Sequence, residues 1–328
     1  MKLKNKTVLV TGGAGFIGSH LVDQLILEKP EKIIVVDNLF LGKDNNLLDA
    51  QSKFPDLKII HEDVSNFEKM KTIFKNDNID VVFNLAVIPL PASLEKPSWT
   101  FSHNNNMTVT MCELIRQDFF KTLIHFSSSE VYGTSISGPM DENHPLNGTT
   151  PYAASKAACD LLVLSYCRTF GIDASIIRPF NNYGPRQNEA SYAGLIPITV
   201  QKIMENKPPM IFGDGKQTRD YLYVTDTAKA AIKIYENLKT RQKVLNIASG
   251  KEISIVYVVK KIAEYLDYDI EKILYDPDRP GDVRRHIANT YLAEDLLGFK
   301  PTVSFEDGLK KTVDWYKITL NNQRKMTK

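Results

Sequence analysis

Two short segments contain the residue types from which chemistry can be built. TGGAGFIG, from Thr11 to Gly18, is a glycine-rich turn, and PYAASKAACD, from Pro151 to Asp160, sets Tyr152 and Lys156 four residues apart. On a helix that spacing places one side chain above the other on the same face. Between them HFSSSEVYG, from His125 to Gly133, supplies hydroxyls, Ser128 and Ser129 among them, and one carboxylate, Glu130. A phenol is a weak base at pH 7, its unperturbed pKa being about 10. A neighbouring ammonium and the positive charge of a nicotinamide both favour the phenolate. Tyr152 is therefore expected to take a proton from a sugar hydroxyl while hydride leaves the same carbon. Lys156 is placed to hold the nicotinamide ribose as well, and Ser128 to hydrogen-bond the oxygen whose charge changes.

The glycines follow an apolar run, Thr7–Val10, and open an amphipathic segment. That is the strand–turn–helix context of a dinucleotide-binding fingerprint: glycine lets the backbone turn sharply and approach a pyrophosphate, and the helix start offers unpaired N–H groups. Gly12, Gly15, Phe16, Ile17 and Gly18 are the expected contacts. Asp37 follows 19 positions after Gly18, at the end of the next apolar run. A carboxylate there bonds ribose hydroxyls and repels a 2′-phosphate, and Asn38, Leu39 and Phe40 offer no arginine to receive one. The expected cofactor is NAD rather than NADP, with Asn38 beside Asp37 in its site. Asp63–Val64, after the third apolar run, has two readings, a contact to the adenine amine or a helix N-cap.

Short apolar runs and amphipathic segments alternate through the first half. Thr7–Val10, Lys32–Val36, Leu57–Ile60, Val81–Leu85 and Thr122–Phe126 read as strands buried on both faces, and Ala174–Arg178 as another strand. Ile17–Leu27, Phe67–Phe74, Asn104–Arg116 and Pro151–Phe170 read as helices, with Pro151 suited to a first helical turn. This order predicts an α/β fold, a doubly wound parallel sheet of Rossmann type. Ile198–Glu205, Thr225–Leu238, Ser254–Leu266 and Phe305–Tyr316 read as later helices, Val244–Ile247 as a strand, and MIFGDGKQTRDYLYV as short strands around a Gly-Asp-Gly turn. The expected division is a cofactor-binding domain over 1–180, with 217–247 returning to it. A smaller substrate lobe then spans 181–216 and 248–320.

At 328 residues the chain is long enough for two lobes. A hydrophobic content of 43%, a charged content of 24% and a net charge of +2 point to a globular protein with no nucleic-acid or membrane partner. Three cysteines without CxxC spacing fit a reducing compartment, and six scattered histidines without a Cys/His cluster predict no metal. The apolar run after MKLKNK is too short for a leader and no stretch is long enough for a span, so a cytoplasmic protein is expected.

Taken together, TGGAGFIG, SSSEVYG, YAASK and NNYGP resemble the extended short-chain dehydrogenase/reductase family of nucleotide-sugar enzymes, from Lys6 to about Tyr316. The resemblance implies that Ser128, Tyr152 and Lys156 are catalytic and that NAD stays bound, being reduced and reoxidised within one turnover. It also implies that Asn104 and Leu85–Ala86 lie by the cofactor, and that the protein is a homodimer. In the substrate lobe it implies that Asn181 meets the diphosphate or sugar, Phe212 covers the base, and Arg219 and Arg279 grip the phosphates. Two guanidiniums on a diphosphate are chemically apt, because each presents a fork of donors.

Reaction type turns on Ser128–Ser129–Glu130. A 4-epimerase needs no carboxylate there, whereas a 4,6-dehydratase needs a base near C5, and Glu130 is the candidate. The hexose 4,6-dehydratases carry Thr-Asp-Glu or Thr-Ser-Glu at the matching place, and LIP (Leu195–Pro197), DYLYV (Asp220–Val224) and DRPGDVRR (Asp278–Arg285) also resemble theirs. Ser129 stands where the closest of those enzymes have their C6 acid, so Glu130 would act twice. The other reading of Glu130 is an anchor for the loop at Gly133. Pro89 and Pro91 stiffen a loop expected to border the sugar. The leading expectation is a 4,6-dehydratase acting on a UDP-hexose, with UDP-N-acetylglucosamine first. A UDP-sugar 4-epimerase, a decarboxylase and an NAD-binding regulator are the alternatives.

Overall fold

The computed structural model describes residues 1–188, 193–278 and 283–326. Six strands alternate with helices at the start: β1 (Thr7–Thr11), β2 (Lys32–Asp37), β3 (Leu57–His61), β4 (Val81–Asn84), β5 (Thr122–Phe126) and β6 (Ala174–Pro179). Three more follow, β7 (Asn181–Tyr183), β8 (Met210–Phe212) and β9 (Thr218–Tyr223). The last are β10 (Val244–Ile247), β11 (Glu252–Ser254) and β12 (Leu274–Asp276).

Seven of these form one parallel sheet in the order β10-β6-β5-β4-β1-β2-β3. Side chains alternate between its faces, and both faces are covered. Val8, Val10, Ile33 and Val35 pack under the helices Phe16–Leu27 and Val224–Glu236, with Leu21, Leu25, Ile234 and Tyr235 opposite. Leu9, Ile34, Val82 and Leu123 face the other way, toward Met70 and Phe74, Met111 and Leu114, and Val163. Continuous Val/Ile/Leu runs are what such a doubly covered sheet requires. The chain leaves β1 toward β2 and β3 but crosses back through β4, so a crevice opens between β1 and β4 at their carboxyl ends.

The expectation of two-sided burial fails at β3. Lys58 and His61 are exposed, because β3 is the sheet edge, and Lys58 Nζ pairs there with Asp77 at 2.9 Å. The helix expected to begin at Asn104 instead begins at Pro97. Its first turns, residues 97–103, lie outside the expected helix, yet Thr100 is buried in them, as is Asn104 after them. Met210–Phe212 and Thr218–Tyr223 flank the Gly-Asp-Gly turn but do not pair with each other. β8 joins β12, and β9 lies between β11 and β7. Tyr183, Val200, Tyr221, Val258, Leu309 and Tyr316 form a separate core around that three-stranded sheet. Among the described residues no helix is long and apolar enough to cross a membrane.

One ion pair ties the helix Pro151–Phe170 to the sheet. Arg178 Nε on β6 donates to Asp160 Oδ2 at 2.8 Å, and the two side chains are 4% and 1% exposed. Arg178 Nη1 also donates to Tyr132 Oη at 2.7 Å, and the guanidinium lies 4.7 Å from that ring's centre. Removing the cation alone strands a buried carboxylate. Arg178→Met is expected to lower unfolding free energy by about 3–5 kcal/mol in urea, and the double variant with Asp160→Leu to recover most of it. A single variant that unfolds like the wild type would show the pair to be dispensable.

Candidate active site

The first wall of the crevice is the glycine turn. Gly12 N–H donates to Val36 O at 2.8 Å and Gly12 itself has φ +66°, a conformation that favours glycine. A Cβ at Gly12 would stand 2.9 Å from Ala86 N, and one at Gly18 only 2.2 Å from Gly12 O. Gly15 precedes the helix Phe16–Leu27 and no side chain caps its first N–H groups. Gly12, Gly15, Phe16, Ile17 and Gly18 all line the cavity, so this donor-rich helix start faces it.

Asp37 closes the turn from the end of β2. Its Oδ2 accepts from Ala14 N–H at 3.0 Å and its Oδ1 from Leu39 N–H at 2.8 Å. Burial pushes its carboxyl above the usual range, and these two N–H groups oppose that. Asp37 and Asn38 line the cavity. Asp63 does not: its neighbours Glu62 and Val64 do. Its carboxylate accepts from Ser65 N–H at 2.8 Å and stands 3.1 Å from His103 Nε2. Nor is Asp63 a helix cap, since Asn66 holds that position for the helix Phe67–Asn76 and accepts from Lys69 N–H.

A second wall, Leu85 to Pro91, hangs from buried polar side chains. Thr11 Oγ1 accepts from Leu85 N–H at 3.0 Å and Ala86 N–H at 3.1 Å and donates to Asn84 Oδ1 at 2.7 Å. Asn104 grips Ile88 at both ends of its peptide, accepting from N–H at 2.7 Å and donating to the carbonyl at 3.1 Å. Leu85, Ala86 and Pro89 line the cavity, while Asn104 stands behind them and off its wall.

The third wall carries the reactive groups. Ser128 precedes a short 3₁₀ turn, Ser129–Tyr132, and its Oγ accepts from Glu130 N–H at 3.2 Å. The loop at Gly133 is tied by backbone: Gly133 N–H donates to the Glu130 carbonyl at 3.2 Å and Asn147 N–H to the Val131 carbonyl at 2.9 Å. Tyr152 sits in the first turn of the helix Pro151–Phe170, capped by Thr150, whose Oγ1 accepts from Ala153 N–H at 3.2 Å. Ser128, Ser129, Glu130, Tyr152 and Lys156 line one stretch of cavity. Burial pushes the Tyr152 phenol up to about 12; the Ser128 hydroxyl opposes this and the Glu130 charge adds to it. Lys156 Nζ donates to the Phe126 carbonyl at the end of β5, and burial lowers its pKa. Burial works against the phenolate that the ammonium and a nicotinamide charge together are expected to favour. The ammonium makes its hydrogen bond with the strand end.

Asn181, on β7, lines the cavity from the far side. Phe212 and Arg219 do not; Arg219 Nη1 donates to the carbonyls of Thr218 and Val283. Arg279 lies outside the described residues. Sequence reasoning passed over Phe40, Phe180, Arg186 and Gln187, which also line the cavity. Arg186 directly follows NNYGP, a signal that was available. Its Nη1 pairs with Asp23 at 2.8 Å, bridging to the helix Phe16–Leu27.

Residues 9–312 match the family model described as GDP-mannose 4,6-dehydratase. A putative UDP-glucose 4-epimerase of Methanocaldococcus jannaschii is 38% identical, over 97% of this chain and 99% of that one. The structure of a UDP-N-acetylglucosamine 4-epimerase from Methanobrevibacter ruminantium, in complex with UDP-N-acetylmuramic acid, aligns with a TM-score of 0.87 at 36% identity, covering 96% of this chain and 99% of that one. That of a dTDP-glucose 4,6-dehydratase from Streptomyces venezuelae with NAD bound aligns at 0.90 and 30% identity, covering 96% and 98%.

The tightness of the glycine turn can be measured directly. Gly18→Ala pushes a methyl into backbone that cannot retreat without opening the turn. It is expected to cost about 1–3 kcal/mol of stability in urea and to weaken binding of NAD, followed by calorimetry, by tenfold or more. Unchanged binding and stability would mean that the turn has slack.

Proposed function

The chain belongs to the NAD-dependent epimerase/dehydratase family of extended short-chain dehydrogenases/reductases, and within it we propose a nucleotide-sugar 4,6-dehydratase. The proposed substrate is a UDP-hexose, with UDP-N-acetylglucosamine first, carried through C4 oxidation, C5 proton removal and loss of water from C6. The observation that supports a dehydratase is Glu130, on the cavity wall beside Ser128 and Tyr152. Burial holds the Tyr152 phenol protonated and the Glu130 charge adds to this, which by itself hinders the oxidation step. A site that keeps such a carboxylate is best explained if the carboxylate has a proton transfer of its own.

The residues present fit NAD. Glycines whose Cβ would clash with neighbouring backbone keep the turn tight, an uncapped helix start faces the cavity, and the buried Asp37 carboxylate suits ribose hydroxyls. When bound, NAD supplies the acceptor for the C4 hydrogen and a positive ring that eases ionisation of Tyr152. Tyr152 Oη takes the proton of the C4 hydroxyl, and the Ser128 hydroxyl bonds the oxygen as it becomes a carbonyl. Lys156, held by the Phe126 carbonyl, keeps its ammonium one turn below the phenol. Glu130 removes the C5 proton, made acidic by the C4 ketone, passes it to the C6 oxygen as that leaves as water and, reprotonated from solvent, gives a proton back to C5 as the hydrogen taken from C4 is returned to C6. Leu85–Ala86 and Pro89, held by Thr11 and Asn104, exclude water from that face.

A 4-epimerase is the second reading, favoured by Ser129. A serine supplies no acid to the C6 oxygen, so dehydration loads both proton steps on Glu130, whereas epimerisation needs neither. The M. jannaschii relative carries an epimerase description.

Tyr152→Phe removes one oxygen and is expected to keep the fold while turnover falls by about 100-fold or more. The wild-type rate should rise with pH on its acid side, because the ionised phenol is the competent form. Near-native turnover in the variant would eliminate Tyr152 as the base. Product NMR after turnover in deuterated water separates the two reactions. A dehydratase gives a 4-keto-6-deoxy sugar with deuterium at C5, and Glu130→Gln abolishes it. Inverted C4 without deuterium at C5, and an active Glu130→Gln, would replace the dehydratase by the epimerase.

A further inference from the structure

His286 takes no part in the chemistry above, yet its imidazole lies between the turn that carries Glu130 and a residue of the cavity wall. It is fully buried. Nε2 stands 3.1 Å from the carbonyl oxygen of Ser129, in the turn that carries Glu130. On its other edge, Nδ1 stands 3.4 Å from Asn181 with Oδ1 nearest, and the ring lies 5.1 Å from that of Phe180 at a 32° tilt. Asn181 and Phe180 both line the cavity. The ring cannot drift, because its segment is bonded by backbone to the loop opposite. Ser135 N–H donates to the Arg285 carbonyl at 3.0 Å and Met140 N–H to the Ile287 carbonyl at 2.9 Å.

Hydrogen-bond bookkeeping decides what this ring does. A neutral imidazole has one N–H and one lone pair, so it cannot donate to an acceptor on both edges. Burial, with the Arg219 charge adding to it, brings the His286 pKa down to about 4, so the ring is neutral at pH 7. Its partner at Nε2 is a backbone carbonyl, which only accepts and cannot turn. The partner at Nδ1 is a side-chain amide, whose oxygen and nitrogen exchange places by a half-turn. The N–H must therefore sit on Nε2, and Asn181 must offer its NH₂ to Nδ1. The amide oxygen is then the atom directed away from the ring.

We infer that His286 is a positioning residue that, as the Nε2–H tautomer, turns the Asn181 amide so that its carbonyl oxygen faces the cavity. A carbonyl oxygen is an acceptor. It suits a hydroxyl or acetamido N–H of the sugar, and it is a poor neighbour for a diphosphate, whose oxygens also accept. This rests on the nucleotide-sugar reading above and narrows it: Asn181 reads the sugar. The same ring holds the Ser129 carbonyl, so the sugar contact and the Glu130 turn are set by one side chain.

The orientation is measured first without substrate. In long-range ¹H–¹⁵N spectra of the NAD-loaded enzyme at pH 7, the His286 signal, identified by its loss in His286→Gln, should be that of a neutral Nε2–H ring. A neutral Nδ1–H ring or a doubly protonated one would overturn the proposal. The second arm measures binding by calorimetry in a Tyr152→Phe background, where turnover is blocked. Adding His286→Leu should leave the affinity for UDP within about twofold and weaken UDP-N-acetylglucosamine about tenfold, with His286→Gln restoring most of the loss. Equal loss for both ligands would place Asn181 at the diphosphate and sink the proposal. A purely structural role predicts that equal loss too. Failure of wild-type protein to bind either ligand would instead refute the nucleotide-sugar reading, and the tautomer would still decide the orientation.

Discussion

The Asp160–Arg178 ion pair is the interaction on which the site's geometry rests. Buried charges have few tolerable arrangements, because each must meet its partner at hydrogen-bond distance or remain desolvated and unpaired. Asp160 lies on the same stripe of helix as Lys156 and Tyr152, one and two turns further along. Pinning Asp160 to β6 therefore sets both the rotation and the height of that helix, bringing Lys156 Nζ to the Phe126 carbonyl. Arg178 also holds Tyr132, the last residue of the turn that presents Ser128 and Glu130. Both halves of the reactive wall are referred to one guanidinium.

The opposite wall is built on a different principle. At the carboxyl ends of β1, β4 and β5 the ladder register puts Thr11 beside Asn84 and Asn84 beside His125. These three side chains continue the hydrogen bonding of the sheet where its backbone bonds stop, with Asn84 Nδ2 and His125 Nδ1 3.1 Å apart. His125 is fully buried and its pKa is driven well below the usual histidine range, first by burial and then by the Lys156 charge. A neutral ring there is compatible with an ammonium close by, which a charged one is not. The loop bearing Leu85, Ala86 and Pro89 is thus held without regular structure of its own, since Thr11 and Asn104 accept from the N–H groups of Leu85, Ala86 and Ile88.

Reactivity follows from the conflict between these walls. Apolar packing desolvates Tyr152 and Lys156, raising the phenol and lowering the ammonium, while Glu130 opposes ionisation of the phenol further. Burial thus opposes the charged form of both residues, and the protein alone does not favour the phenolate. Such a site suits a cationic cofactor, whose charge offsets the cost of ionising the phenol.

Much of this was legible in the chain. Apolar runs separated by amphipathic segments determine a doubly wound sheet because a parallel sheet must be covered on both faces. The glycine spacing, Asp37, the Tyr152–Lys156 pair and Ser128–Glu130 are local patterns whose chemistry can be named from residue type and distance along one element. What the sequence did not show were properties belonging to more than one element. The edge position of β3, and hence its exposed Lys58 and His61, depends on sheet order. The place of Asn104 behind Ile88 and the absence of Arg219 from the cavity wall depend on which surfaces meet. The role of His286 depends on a contact between residues more than a hundred positions apart. Sequence alone determines what each short segment can offer, since backbone geometry and side-chain chemistry are local. Only the tertiary structure decides which offered groups share a buried space, because desolvation, and with it every pKa and every unpaired donor, is set by neighbours that the chain brings together from afar.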